Sequence, residues 1–351
     1  MRHLTAILGA CLYAAASAGT AGPVVGMHRL TISEAGERTR LVSVPFLRIP
    51  DAYGRLDGVQ ISPAPDGEPL LIDHEGAFGA LAAKGSHILR ITSGSSAGDW
   101  FLLDKVAEDG RSAAVREDGL VASAAQLVGD EAFAIHRLFT LDELFPVRSP
   151  EFPAAPIDLA AMQVHFYDGA QFNRYWLSDG TLTGHRGWTF AEDGQLRDAN
   201  QVAILPGASF LVVFPDASTE LNVQINGVVP ETGLTVPVYP GYNYVSVKYT
   251  RSTSGGLPHI VDYLKVIGLK DSGFKGGSSD AESDLVLALM EADGTFLPGY
   301  YYDEAEGDFS PVSEESGLIR LEDVGPGRGF VIYNSGDTFL WRANPNENLV
   351  P

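Results

Sequence analysis

The sequence predicts an all-β protein of two tandem β-sandwich-like modules, the first carrying an inserted small β-barrel or sandwich subdomain. Three observations predict it. Short apolar segments of strand type alternate with clusters of Gly, Pro, Asp and Ser, in a chain with 39 Gly, 21 Pro and 45% hydrophobic residues. That composition belongs to a packed protein with many turns, not to a disordered one. The phrase "AILPGASFLVVF", with Pro206, Gly207 and Phe210, returns as "DVGPGRGFVIYN", with Pro326, Gly327 and Phe330. Proline fixes φ and glycine permits φ > 0, so each pair reads as a turn that delivers the chain into a strand. Further phrases accompany both copies in the same order, which argues for duplication.

The chain opens with a secretory signal peptide over residues 1–21. Arg2 and His3 precede an apolar run, Leu4 to Ala18, and small residues follow it. Cleavage is expected between Gly19 and Gly22. The run is too short for a membrane span, which needs about 20 apolar residues. A buried N-terminal helix is the alternative. Cys11 is the only cysteine and stands in "LGAC", a loose match to a lipoprotein box. Only Leu4 to Leu8 would precede it, too little for an apolar core, so no lipid is expected. Cys11 leaves with the signal, and the mature chain then has no thiol for a disulfide or a metal.

The first module is expected over residues 24–230. Its first clear strand lies in "RTRLVSVPFLRI", and Val42-Ser43-Val44 recurs as Val245-Ser246-Val247. The insertion, about residues 55–137, holds "HILRIT", "DWFLLDKV", "SAAVRE" and "EAFAIHRL", short apolar segments between Gly, Asp and Ser. "TLDELF" is a short helix candidate with Thr140 as its N-cap, stopped by Pro146. Asp158-Leu159, Asp168-Gly169 and Phe172 match Asp284-Leu285, Asp293-Gly294 and Phe296. Asp-Gly between apolar runs is a hairpin signal. Tyr175 and Trp176 follow one hairpin, and Tyr300 to Tyr302 the other. The second module is expected over residues 231–351, beyond Gly227 and Pro230, and should fold as a domain in its own right.

The formal net charge is −21, from 24 basic and 45 acidic residues. Such a chain repels nucleic acid and anionic membranes. No second long apolar run predicts a transmembrane span. Evenly spaced strands of about ten alternating residues, as in an outer-membrane barrel, are not evident.

Candidate chemistry is sparse, and no catalytic residue is assigned. Gly94 to Gly98 matches G-x-S-x-G around Ser96. A nucleophile elbow needs a strand before it and a helix after it. Here a strand follows, so the segment reads as a hairpin loop. Asp280, Glu282, Asp284 and Glu291 fall on calcium-loop positions, but Leu285 stands where the loop needs Gly. A looser calcium site, using either Asp280 and Glu282 or the "DEAEGD" loop from Asp303 to Asp308, is a candidate; no other cofactor is indicated. The seven histidines beyond the signal show no H-x-H or H-E-x-x-H spacing. Nothing selects a carboxylate pair for glycoside hydrolysis. Tyr175, Trp176, Trp188 and Tyr301 are candidate sugar-stacking rings, or else core residues on alternate strand positions.

The phrases "VVGMHRLTI", "LVSVPF", "LRITSGSSAGDWFLL" and the Pro-Gly strands resemble a family of exported β-rich proteins of Verrucomicrobia of uncharacterised function. The C-terminal part is similar to the "GWN" β-modules that end many secreted bacterial proteins, with Gly241-Tyr242-Asn243 in that place. The resemblance implies an exported β-rich protein and supplies no catalytic residue. The expected function is a non-catalytic structural or interaction role in the periplasm, at the cell surface or outside the cell, with a polysaccharide or surface protein as partner. A carbohydrate-binding protein is the first alternative and a secreted hydrolase the second.

Overall fold

Two antiparallel sheets of one topology carry the duplication. The computed structural model describes residues 25–33, 38–61, 69–81, 85–116, 126–216, 221–230, 233–246, 261, 264–265, 267–289, 296–313 and 327–343. The signal peptide, Pro326, Val247 and the Asp293-Gly294 turn lie outside them. The first sheet runs β14 (Gln195–Asp198), β13 (Gly187–Glu192), β12 (Phe172–Ser178), β11 (Gln163–Tyr167), β16 (Ser209–Val213), β2 (Thr39–Ser43). The second runs β22 (Asp308–Pro311), β21 (Phe296–Asp303), β20 (Leu285–Leu289), β23 (Phe330–Asn334), β19 (Gly241–Val245). Registers agree as well as order. Phe210 pairs with Val42, and Phe330 with Val245. His165 pairs with Leu211, and Leu287 with Val331.

Each sheet buries one face under a two-stranded ribbon. β1 (Val25–Ser33) pairs with β17 (Leu221–Val228), and β18 (Leu234–Val238) with β24 (Phe339–Ala343). Strand alternation sends Val42, Val164, Phe210 and Val212 toward Leu30 and Ile225 of the first ribbon. Val245, Val286, Phe330 and Ile332 meet Val236 and Trp341 of the second. Phe210 and Phe330 are both fully buried. The glycines of the two Pro-Gly turns sit at φ +79 (Gly207) and +82 (Gly327), which is why the motif needs glycine there.

The opposite faces of the two sheets meet each other. Leu41 and Leu211 of the first pack with Leu287, Val331 and Tyr244 of the second. The meeting is reciprocal. Ser43 N donates to Gly327 O (3.1 Å) and Ser246 N to Gly207 O (2.9 Å). Val42 bridges Arg328 as Val245 bridges Ala208. Each Pro-Gly turn therefore closes on the edge strand of the other copy.

One alignment read from the sequence is shifted. The turn Asp158–Ala160 corresponds to Asp280–Glu282, not to Asp284-Leu285. Met162 N donates to Pro153 O (2.8 Å) as Asp284 N donates to Lys275 O (2.9 Å). Six residues separate β20 from β21 and four separate β11 from β12, so matching Asp-Gly to Asp-Gly displaced the flanking residues. Asp284 thus fills the place of buried Met162. Its carboxylate is satisfied by Lys275 N (2.7 Å), Ser335 N (2.8 Å) and Ser335 Oγ (3.0 Å), as a buried charge requires.

The insertion is a seven-stranded sheet: β3 (Ala52–Arg55), β9 (Ala132–Arg137), β6 (His87–Ile91), β7 (Trp100–Val106), β8 (Ser112–Val115), β5 (Pro69–Ile72), β4 (Gly58–Ile61). Its end strands β3 and β4 are halves of one bent segment, so the sheet curls back on itself around Leu71, Ile88, Phe101 and Ile135. The helix α1 (Leu141–Leu144) follows it. Thr140 Oγ1 accepts from Glu143 N (3.4 Å) and Glu143 Oε2 from Thr140 N (3.2 Å), a capping box.

Candidate functional site

Two of the four sequence-nominated rings are core residues, which corrects their reading as stacking platforms. Trp188 is fully buried, donates Nε1–H to Phe145 O (3.0 Å) and packs on the Phe145 ring. It lies on the face that the first ribbon covers. Trp176 points the other way but is 7% exposed, covered by Ala155 and Ala161. Tyr175 is half-buried on the core face, against Phe166 and Phe190. Tyr301 is half-buried, and its hydroxyl lies 3.4 Å from Asp303 Oδ2.

A different set of rings forms a continuous row at the seam between the copies. Its ring contacts run from His165 to Phe172 (6.2 Å between centroids), Phe172 to Tyr244 (5.0 Å), Tyr244 to Phe296 (6.2 Å), Phe296 to Tyr242 (6.2 Å) and Tyr242 to Tyr333 (5.0 Å). Tyr167 stands beside Phe172 (5.2 Å) and Tyr244 (5.1 Å). Tyr242 is 46% exposed and Phe172 37%, and the others are half-buried. Burial, then the neighbouring Tyr167 and Tyr242, push the Tyr244 hydroxyl up to about 12. Burial, then Arg174, pull His165 down to about 4. The imidazole is therefore neutral at pH 7, and its Nε2 lies 2.8 Å from Gln163 Oε1.

The duplication serves as an internal control on this row. Tyr242 and Tyr333 form a cross-strand pair where the first copy pairs Thr39 with Val213. Tyr244 faces Val331 where Leu41 faces Leu211. The same scaffold is thus held on the other side of the seam by aliphatic residues and a threonine, so packing alone does not demand exposed rings. Sequence reasoning passed over the row because its members come from β11, β12, β19, β21 and β23, which only the fold brings together.

Asp280 and Asp303 both act on the Tyr301 hydroxyl, and the acidic candidates otherwise take separate partners. Asp308 pairs with Lys265 (2.6 Å). Asp303 Oδ1 accepts from Ala305 N (2.9 Å) within its own turn. Glu282 Oε2 accepts from Ser278 Oγ (2.8 Å), and Asp280 opens the 3₁₀ turn Asp280–Glu282. Among the described residues no group of three or more His, Cys, Asp or Glu side chains is placed to share a metal ion.

The G-x-S-x-G segment is the β6–β7 connection, between two strands as expected. Ala97 N donates to Gly94 O (3.2 Å) and Gly98 N to Ile91 O (3.0 Å). The loop docks on the second ribbon. Thr235 N donates to Gly98 O (3.1 Å), Trp100 Nε1 to Thr235 O (2.8 Å) and Arg342 Nη1 to Ser95 O (3.2 Å). A polar cleft of about 380 Å³ lies at the bend between β3 and β4, lined by Arg55, Asp57, Glu75 and Asp130 among others. Arg55 closes on Asp130 (2.8 Å), and Asp57 accepts from His74 N (2.6 Å).

No family model, curated protein or solved structure matches the chain.

Proposed function

We propose that the protein is an exported, non-catalytic β-rich interaction protein that acts in the periplasm, at the cell surface or outside the cell, and that the aromatic row is its contact face. One observation carries this reading. Tyr242 and Tyr333 are exposed and half-buried rings at positions that the first copy fills with Thr39 and Val213. A ring kept at a surface where a smaller residue serves the fold is paid for by contact with something else. The signal-like residues 1–21 and the resemblance to exported proteins support the compartment. No helix among the described residues is long and apolar enough to cross a membrane.

The test exchanges the row for its counterpart. Fluorescently labelled protein is incubated with cells of the producing strain, and the bound fraction is compared with that of the Tyr242→Thr/Tyr333→Val variant. The reading expects binding that the variant loses. Equal binding by both would remove the row from the function.

A further inference from the structure

The partner of this face follows from its shape and charge. We propose that the aromatic row binds a neutral, hydroxyl-rich polysaccharide, laid along Phe172, Tyr167, Tyr244 and Tyr242. The inference rests on the contact-face reading above and deepens it.

The row is one or two rings wide and at least five ring-to-ring contacts long. That outline fits an extended chain. A stable protein partner needs about 800 Å² on each side, a broad patch rather than a strip. The surface is also chemically mixed. A sugar ring has an apolar C–H face and a hydroxylated rim. An aromatic face covers the first, and tyrosine hydroxyls hydrogen-bond the second. Tyr242, Tyr244 and Tyr333 supply such hydroxyls, and the Tyr167 hydroxyl, which donates to Gly169 O (3.1 Å), keeps its lone pairs to accept from a sugar. The rings hold one another in place, so little side-chain entropy remains to be lost on binding.

Charge narrows the class. A net charge of −21 repels anionic polymers, including acidic glycans and nucleic acids. The carboxylate beside the rings, Asp168, is held within its own turn by Ala170 N and Gln171 N (both 2.9 Å) and by Asn173 Nδ2 (3.1 Å), hydrogen bonds that leave its negative charge in place and add to the repulsion of anionic polymers. A neutral polyhydroxylated chain is the ligand that rings, hydroxyls and field admit together.

The test is native affinity electrophoresis of the full chain in gels containing mixed-linkage β-glucan, galactomannan, dextran or pullulan, with polygalacturonate as the anionic control. The expected result is retardation in at least one neutral gel and none with polygalacturonate. Tyr242→Thr/Tyr333→Val should raise the apparent Kd about tenfold or more. Tyr242→Ala, at the most exposed ring, repeats the comparison should the double variant fold poorly. Migration unchanged in every neutral gel would overturn the proposal, as would equal retardation by polygalacturonate or retardation that both variants keep. Cell binding that depends on the row, without retardation by any neutral polysaccharide, would overturn the glycan and leave the contact face standing. Loss of both would remove the two readings together.

Discussion

Thr235 Oγ1 donates a 2.5 Å hydrogen bond to Asp99 Oδ1, joining the inserted sheet to the ribbon of the second copy. Asp99 is 1% exposed, and Arg342 Nη2 lies 3.7 Å from its other oxygen. Burial raises the Asp99 carboxyl above its usual 3.8, and Thr235 and Arg342 oppose that rise. A carboxyl raised by folding contributes most stability below the unfolded value and loses it as pH rises through the folded one. Asp99→Asn, which carries no charge at any pH, should therefore gain on the wild type as pH climbs from below 3.8 through the raised value. Urea midpoints of both proteins at several pH values measure this, and a constant difference would refute it. Thr235→Val leaves the carboxylate short of a donor and should cost about 1–3 kcal/mol at pH 7, and less in acid.

In the loop that precedes this contact, the glycine matters and the serine does not. Gly98 has φ +101, and a Cβ there would run into Gly233 O. Gly98→Ala should cost about 1–3 kcal/mol in backbone strain alone, with the clash added. Ser96→Ala should leave the melting temperature and any hydrolase assay unchanged, and a fluorophosphonate probe should not label Ser96. Labelling lost in Ser96→Ala would restore a nucleophile to this loop.

The second copy should not fold alone, against the expectation its sequence raises. Leu287, Val331 and Tyr244 face Leu41 and Leu211 of the first copy, and the bridges Val42–Arg328 and Val245–Ala208 close each turn on the other copy. A fragment of residues 231–351 should lack a cooperative thermal transition and regain one when mixed with residues 25–230. Within the whole chain Phe330→Ala should cost about 3–5 kcal/mol, because the ring is fully buried beside Trp341. Denaturant titration of the fragment and of the variant checks both.

His165 should make the protein sensitive to acid. Its pKa, near 6.5 in the unfolded chain and about 4 in the fold, means that protons bind the unfolded state first. Its contribution to stability is present above 6.5 and is lost as pH falls from 6.5 toward 4. His165→Gln should flatten the stability profile over that window, and NMR titration should find the wild-type imidazole neutral at pH 5.5. An imidazole that titrates near 6.5 would show the ring to be solvated.

The inserted strands were legible almost to the residue, since "DWFLLDKV" and "EAFAIHRL" became Trp100–Val106 and Ala132–Arg137. Apolar runs bounded by Gly, Asp and Ser leave the backbone few other ways to bury them. Thr140 announced the helix cap for a similarly local reason. Asp158 was harder. Its true counterpart is Asp280, and the longer β20–β21 connection together with the register shift between Val286 and Ala288 misled the alignment.

The sequence by itself determined an all-β chain, its duplication and the positions of the Pro-Gly turns, because strand alternation and the φ demands of glycine and proline act over a few residues. The tertiary structure alone decided which rings reach solvent. Trp188 and Tyr242 look alike as aromatics in strands, yet the first ribbon covers one and the second sheet's free margin exposes the other. It also decided that the copies interlock, since the bonds from Ser43 to Gly327 and from Ser246 to Gly207 join residues far apart in the chain. Burial and such pairings depend on which distant segments meet, and no local pattern encodes that.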